Sequence, residues 1–350
     1  MSRAKPGLLR ASAIAGLGLA ACSDACVHER SDHSHEPLVE RQQMSFADLE
    51  ARLWPTEPDA WRPLGETQLG ALEQLVCLLV EQAVSKGSRR RPRALQTRQA
   101  LILAKLAGVE LHAVSLAYEG RQVELWVVVE PSSDRRGRGS YLIRRGPAEP
   151  DALEWLVQAP HSRFDKYTGA IALRLFIEDD ARSARALMTN SAHRYRQLDG
   201  SREPRPAPMD NPADAAHNPE HPIARVTAAL LSAHELALVQ LHGFSRSAAA
   251  GDPELIVSAS AEQPSPASAA ILDRLRVELP GRTVGHYGVD TQRLGGLANV
   301  QARSSRAVRR CFIHVELSHT LRKQLLNDRE LRSRFARAAL ATEGLSRACG

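Results

Sequence analysis

The order of apolar runs in this 350-residue chain predicts an α/β fold: a mixed, mostly parallel central sheet flanked by helices, with an N-terminal helical extension. Three observations predict it. From about residue 95, short runs rich in Val, Ile and Leu alternate with longer segments of helical spacing, the pattern of strand–helix units. Runs such as "LALVQLHGF" (236–244) read as buried strands, as expected where helices cover both faces of a sheet. The composition, 43% hydrophobic and 25% charged, is that of a soluble globular protein long enough to bury a core, and 4% aromatics leave that core to aliphatic side chains.

The first segment, "MSRAKPGLLRASAIAGLGLAAC", reads as an export signal over residues 1–21. Arg3 and Lys5 precede a short apolar stretch, Ala11 to Ala21, too short to span a bilayer. Its end, Leu19-Ala20-Ala21-Cys22, resembles the bacterial lipobox. The resemblance implies lipidation of Cys22 and a mature body in the cell envelope, on the periplasmic face of the outer membrane if the cell is Gram-negative. Residues 22–44 read as a flexible polar tether. Its His28, His33 and His35 are open to a second reading as a metal-binding tract. With Cys22 acylated, Cys26, Cys77, Cys311 and Cys349 remain, and they allow three disulfide connectivities in an exported protein.

Residues 45–94 read as a helical region. Ser45 is a candidate N-cap for "FADLEARLW", "TQLGALEQLVCLLVEQAV" has helical apolar spacing, and "SKGSRRRPR" (85–93) reads as a basic linker. Residues 95–350 read as the α/β domain. "RALQTRQALILAKLAG" is a helix closed by Gly108, and "ELHAVSLAY", "QVELWVVVEP" and "GSYLIRRG" are strands with a hairpin loop before the third. "LEWLVQAP" is a strand, and "GAIALRLFIEDDARSARALM" a helix leading to a short strand. The long proline-rich stretch from Ser191 to Pro222 reads as a functional or disordered loop. "IARVTAALLSA" and "PASAAILDRLRVEL" are helices, "PELIVSAS" and "RRCFIHVELS" strands, and "TLRKQLLNDRELRSRFARAAL" a terminal helix.

The formal net charge of +6, mostly arginine, favours anionic partners such as carboxylates. It is mild and spread along the chain, and no nucleic-acid-binding motif accompanies it, so no nucleic-acid partner is expected.

Three strand ends carry the polar groups that chemistry needs. "LVQAPH" ends at His161, "LALVQLHGF" carries His242, and "CFIHVELS" carries His314 and Glu316 on one face. Sites gather at the carboxyl ends of strands in open α/β sheets, so His161, Asp165, His242 and Glu316 can converge. Two histidines and a carboxylate form a catalytic zinc set with an open position for water. Asp165, close to His161, is the better ligand, and Glu316, late and separate, the better base. Plainer readings stay open. His161 can be a core histidine, Asp165 a cap for a helix near Thr168, His242 the start of a tight turn at Gly243, and Glu316 the partner of Arg303, Arg306, Arg309 or Arg310. His193 and His217 are rival ligands, "DAAH" (214–217) a candidate lid, and His234 a structural histidine. Asn299 and Gln301, in a loop after Gly295-Gly296, are candidates to orient substrate amides or members of a surface turn.

The order "PHSRFDKYTGAIA", "QLHGF", "FIHVELSHTLRK" resembles the zinc carboxypeptidase-like superfamily over roughly residues 150–325, and within it the poly-gamma-glutamate hydrolases and N-formylglutamate amidohydrolases. The resemblance implies Zn2+ held by His161, Asp165 and His242, with Glu316 as base. Asp165 stands where the family has glutamate, at a different spacing. The family's Asn-Arg substrate clamp has its nearest equivalent in Asn190 and Arg194, and Arg194 offers the planar fork that suits a carboxylate.

The expected function is therefore a lipid-anchored, zinc-dependent amide hydrolase of the cell envelope, acting on an acidic peptide or a gamma-glutamyl or peptidoglycan-type amide. The alternative is a non-catalytic binding lipoprotein on the same scaffold. A serine hydrolase is a weak third: no GxSxG elbow is present, although Ser162 follows His161.

Overall fold

A computed structural model describes residues 39–84, 94–146, 153–179, 183–245, 253–342 and 345. The expected signal, Cys22, Cys26, Cys349, the basic stretch 85–93 and His28, His33 and His35 lie outside the described residues.

The described elements form one compact unit. In chain order they are β1 (Arg41–Ser45), α1 (Phe46–Leu53), α2 (Glu66–Val84), α3 (Ala94–Ala107), β2 (Glu110–Tyr118), β3 (Arg121–Val129), β4 (Ser140–Arg144), β5 (Glu154–Ala159), α4 (Thr168–Glu178), β6 (Ala184–Thr189), α5 (Pro222–Ala233), β7 (Leu236–Phe244), β8 (Leu255–Ser258), α6 (Pro266–Glu278), β9 (Val284–His286), α7 (Val300–Ala307), β10 (Phe312–Ser318), α8 (His319–Asn327) and α9 (Arg329–Ala339).

Ten strands make one sheet in the order β1-β2-β3-β4-β6-β5-β7-β10-β8-β9. Five of its nine pairings are parallel, so the sheet is mixed and mostly parallel as expected. The four central neighbours, β6, β5, β7 and β10, all run the same way, and their carboxyl ends therefore share one edge.

Alternation divides the core between two faces. Trp155 and Val157 of β5, Val239 and Leu241 of β7, and Ile313, Val315 and Leu317 of β10 pack with α4, α6, α8 and α9. Leu156, Leu238 and Phe312 join α2, α3, α5 and Ala302 of α7 on the other face. Along that second face the strands turn polar toward their carboxyl ends, at Gln158, Gln240, His242, His314 and Glu316, all buried.

Several expectations need correction. Residues 41–44, read as the end of the tether, belong to β1, where Met44 is buried and the strand pairs in parallel with β2. The terminal helix is two helices, because the Asp328 side chain accepts from Leu331 N and starts α9 afresh. The polar stretch around Asn299, read as a loop, opens α7, with the Asn299 side chain accepting from Ala302 N as its cap. Among the described cysteines, Cys77 is free and Cys311 is disulfide-bonded. Burial pushes the Cys77 thiol up to about 11, which leaves it unreactive.

Candidate functional site

His161 leaves β5 two residues past its end, in a turn that closes on itself: the His161 carbonyl accepts from both Phe164 N (2.8 Å) and Asp165 N (2.7 Å). One turn of i to i+4 geometry brings the Asp165 side chain back beside the imidazole, so a spacing of four serves where the resembled family uses three. Tyr167 then adopts a left-handed conformation (φ 78°) immediately before α4. This is a strained placement for a non-glycine residue, and it sharpens the turn. Asp165 caps nothing with its side chain; Thr168 is bonded to its backbone carbonyl.

His242 is inside β7, in register with Glu316 of β10. It marks no tight turn. Gly243 instead leaves room for Arg322, because a Cβ there would strike the guanidinium. Arg322 donates to the Lys166 and Phe244 carbonyls (2.7 and 3.1 Å) and so ties the Asp165 turn to the end of β7.

Three atoms converge. His161 Nδ1 lies 3.2 Å from His242 Nδ1, His161 Nδ1 lies 3.3 Å from Asp165 Oδ2, and His242 Nδ1 lies 3.5 Å from Asp165 Oδ2. Ligands at zinc bond lengths on a tetrahedron stand roughly 3.3–3.6 Å apart, so the triangle is the size of one face of such a site. The other ring nitrogens are already engaged. His161 Nε2 donates to Asp214 Oδ1 (2.8 Å), and His242 Nε2 donates to Gln240 Oε1 (3.1 Å). Each acceptor fixes the tautomer and leaves Nδ1 a lone pair aimed at the shared point, the usual support for a metal-binding histidine. All three side chains are buried. The donor chemistry and spacing fit a zinc-sized cation.

Electrostatics sort the groups further. Burial alone would raise the Asp165 carboxyl, yet the His161 and His242 imidazoles against it hold it well below the usual carboxylate range. Burial pushes His242 down to about 4, a neutral imidazole. Burial also opposes charge on His161, but the Asp214 carboxylate outweighs it and raises that imidazole. Glu316 is driven up to about 8, by burial first and the Asp165 charge second. Its Oε2 is buried with no hydrogen-bond partner among the described residues, and it pairs with none of the four arginines expected from the sequence. His314 Nε2 stands 3.8 Å from Glu316 Oε1.

Asp214 is the residue that sequence reasoning missed. It accepts from His161, His217 Nδ1 (3.0 Å), Ala216 N (3.1 Å) and Arg194 Nη2 (2.5 Å). "DAAH" is thus a wall of the site and not a lid. Asn190 donates to Ala213 O (2.8 Å) and Gln301 to Ala215 O (2.5 Å), pinning the Asp214 segment from two sides. These contacts correct the roles expected of Asn299 and Gln301. Both are buried, Asn299 caps α7 and donates to Gln240 (2.6 Å), and neither is presented to a substrate. The carboxylate clamp expected of Arg194 is also changed: one arm is taken by Asp214, while Nη1 lies 3.3 Å from His161 Nδ1. Of the rivals, His217 lies against Asp214, and His193 stacks edge-on with Phe164. His234 is the C-cap residue of α5, away from the site.

One signal could have found part of the inner support. "LVQAPH" and "LVQLH" share Leu-Val-Gln, and the two strands pair with these residues in register, Gln158 beside Gln240. Gln240 Nε2 donates to Gln158 Oε1 (2.7 Å), and Gln158 donates to Thr227 (2.6 Å), a buried amide chain that ends on His242. A cavity of about 750 Å³ lies elsewhere, between α6 and α9, and none of these residues lines it.

No family model matches the chain, and no curated protein matches it. Similar solved structures include a metallo-carboxypeptidase from Burkholderia cenocepacia, 16% identical over 71% of this chain and 69% of that one, with a TM-score of 0.36. Another is an N-formylglutamate amidohydrolase from Ralstonia eutropha, 17% identical over 56% and 96%, with a TM-score of 0.33. A third is a product-bound ectoine utilization protein from Ruegeria pomeroyi, 17% identical over 66% and 67%, with a TM-score of 0.33.

Proposed function

We propose that the protein is a metal-dependent amide hydrolase whose cation is held by His161, Asp165 and His242. The observation that supports this most is the triangle of 3.2, 3.3 and 3.5 Å among their ligand atoms, with both outer ring nitrogens already fixed by Asp214 and Gln240. Zinc suits two imidazoles and a carboxylate, and when bound it supplies a Lewis acid and a more acidic water. Glu316, on the strand beside His242, moves the proton. It takes one from the attacking water as the oxygen bonds to the amide carbon, and delivers it to the nitrogen as the C–N bond breaks. Burial and the Asp165 charge hold its carboxyl up at about 8, and a divalent cation on the three ligands would lower it, in the direction a base needs. Arg194 Nη1 faces the same centre, where a guanidinium stabilises the oxygen that gains charge.

The substrate class in this proposal is an acidic peptide or gamma-glutamyl-type amide, in keeping with Arg194 at the site and a net charge of +6. The setting is the cell envelope, with the chain anchored through a lipid on Cys22. The test is hydrolysis of gamma-glutamyl amides and N-acylglutamates. Turnover that a chelator abolishes and zinc restores is the expected result. Turnover that survives chelation and stops with a serine-directed inactivator contradicts it.

One observation favours the non-catalytic alternative. The Arg194 guanidinium already stands beside His161 Nδ1, so it can serve as the site's cation in a metal-free binding protein. Such a protein would bind acidic ligands equally well after chelation and turn none over.

A further inference from the structure

Phe164 breaks the burial pattern of its turn. It lies between the ligands His161 and Asp165, both buried, and is itself 44% exposed. The chain is short of aromatics, with six Phe, five Tyr and four Trp in 350 residues. Among the exposed large apolar side chains of the described residues, Phe164 is the only aromatic one. A scarce, costly side chain is thus left in solvent on the turn that holds two metal ligands, and isolated exposure of this kind elsewhere on the surface would carry no message.

Phe164 is not isolated. Its ring centroid lies 5.3 Å from that of His193 and 5.2 Å from that of Tyr195, both edge-on, and His193 and Tyr195 are 5.7 Å apart. These are the spacings of favourable aromatic pairs. The Arg194 guanidinium lies over the Phe164 and Tyr195 rings, 5.4 and 5.1 Å from their centroids. The same guanidinium is bound to Asp214 and reaches His161 Nδ1 (3.3 Å), so the rings are continuous with the ligand triangle through one planar group. Their backbone is fixed as well. Glu57 accepts from His193 N (2.8 Å) and Arg196 Nε (3.2 Å), and His193 Nδ1 accepts from Tyr195 N (3.3 Å). A surface ordered before binding loses little further freedom when a ligand covers it.

We propose that Phe164 and Tyr195, with His193 beside them, form a subsite for a flat ring carried by the substrate next to the amide that is cut. This rests on the hydrolase reading and narrows its substrate class to glutamyl-type amides with an aromatic group on one side of the bond. Aromatic edges and faces reward a ring over an aliphatic group of similar area, and a formyl or acetyl group would leave the rings uncovered.

The test is calorimetric titration of the zinc-loaded full chain carrying Glu316→Gln, so that ligands are bound without being consumed. Two pairs of probes are compared: N-benzoylglutamate with N-acetylglutamate, and γ-glutamylanilide with γ-glutamylmethylamide. The ring-bearing member of at least one pair should bind about tenfold or more tighter. Adding Phe164→Ala should erase that preference, and Phe164→Tyr, which keeps the ring, should retain it. Phe164→Leu keeps apolar bulk against His193 and Tyr195, so it guards against a variant that fails to fold, and it should reduce the preference several-fold. Equal affinities within both pairs overturn the proposal. So does a preference that survives both Phe164→Ala and Tyr195→Ala, because the rings then only brace the turn. Chelator-sensitive turnover by the parent with no ring preference removes the subsite and leaves the hydrolase. Ring preference in a parent that turns nothing over removes the hydrolase and leaves the subsite as a ligand-binding surface.

Discussion

His161 uses its two ring nitrogens for different ends. Nε2 is committed to Asp214, so Nδ1 must be the atom that meets Asp165 and His242. An amide in place of the Asp214 carboxylate can still accept from Nε2–H, but it removes a full negative charge from behind the imidazole. Asp214→Asn should therefore lower metal affinity by 10- to 100-fold, the usual effect of losing such support, while the fold melts near its parent temperature. Competition with a chromogenic chelator measures this. Affinity equal to the parent's would mean that Asp214 serves only to hold Arg194. Glu316 has a different position. It neighbours His242 in register, contributes no edge of the ligand triangle and leaves an oxygen unpartnered. Glu316→Gln should lower turnover by about 10²–10⁴ with zinc still bound. Parallel assays of turnover and metal content check it, and a Gln variant that sheds metal would make Glu316 a ligand.

Among the elements, β5, β7 and β10 were legible because burial on both faces writes them as apolar runs, and because alternation puts Gln240 with His242 and His314 with Glu316. The loop of residues 190–221 was not. Its path depends on side chain to backbone bonds from Asn190 and Gln301, and these leave no periodicity, so Asp214 could not be placed. Asn299 and Gln301 were misread for a related reason: a polar residue near paired glycines looks the same whether it caps a helix or faces a substrate. Gly243 shows how an element end is fitted to the site. Gly243→Ala would drive a methyl group into the Arg322 guanidinium, which braces the turn carrying Asp165. The expected cost is about 1–3 kcal/mol of stability in a denaturant titration, the range for overpacking, with reduced metal occupancy. Unchanged stability and occupancy would show that Arg322 has other room to occupy.

For the whole molecule, stability should depend on pH through a histidine outside the ligand triangle. His221 caps α5 by accepting from Ile223 N, and burial pushes it down to about 3 from an ordinary 6.5. Between those values the unfolded chain binds a proton that the folded one refuses. Stability from this group is thus complete above about pH 6.5 and falls as pH drops toward 3. His221→Asn keeps a capping side chain without the titration, so it should flatten that acid limb in denaturant titrations at several pH values. An acid limb identical to the parent's would assign it to other groups. The central claim, a cation on three named residues, is tested most directly by the metal content of the purified chain and its variants. The account predicts about one zinc per chain in the parent and in Glu316→Gln, and far less in His161→Ala, Asp165→Ala and His242→Ala. Metal retained at parental stoichiometry in all three alanine variants, or no metal bound by the parent after zinc loading, would contradict it.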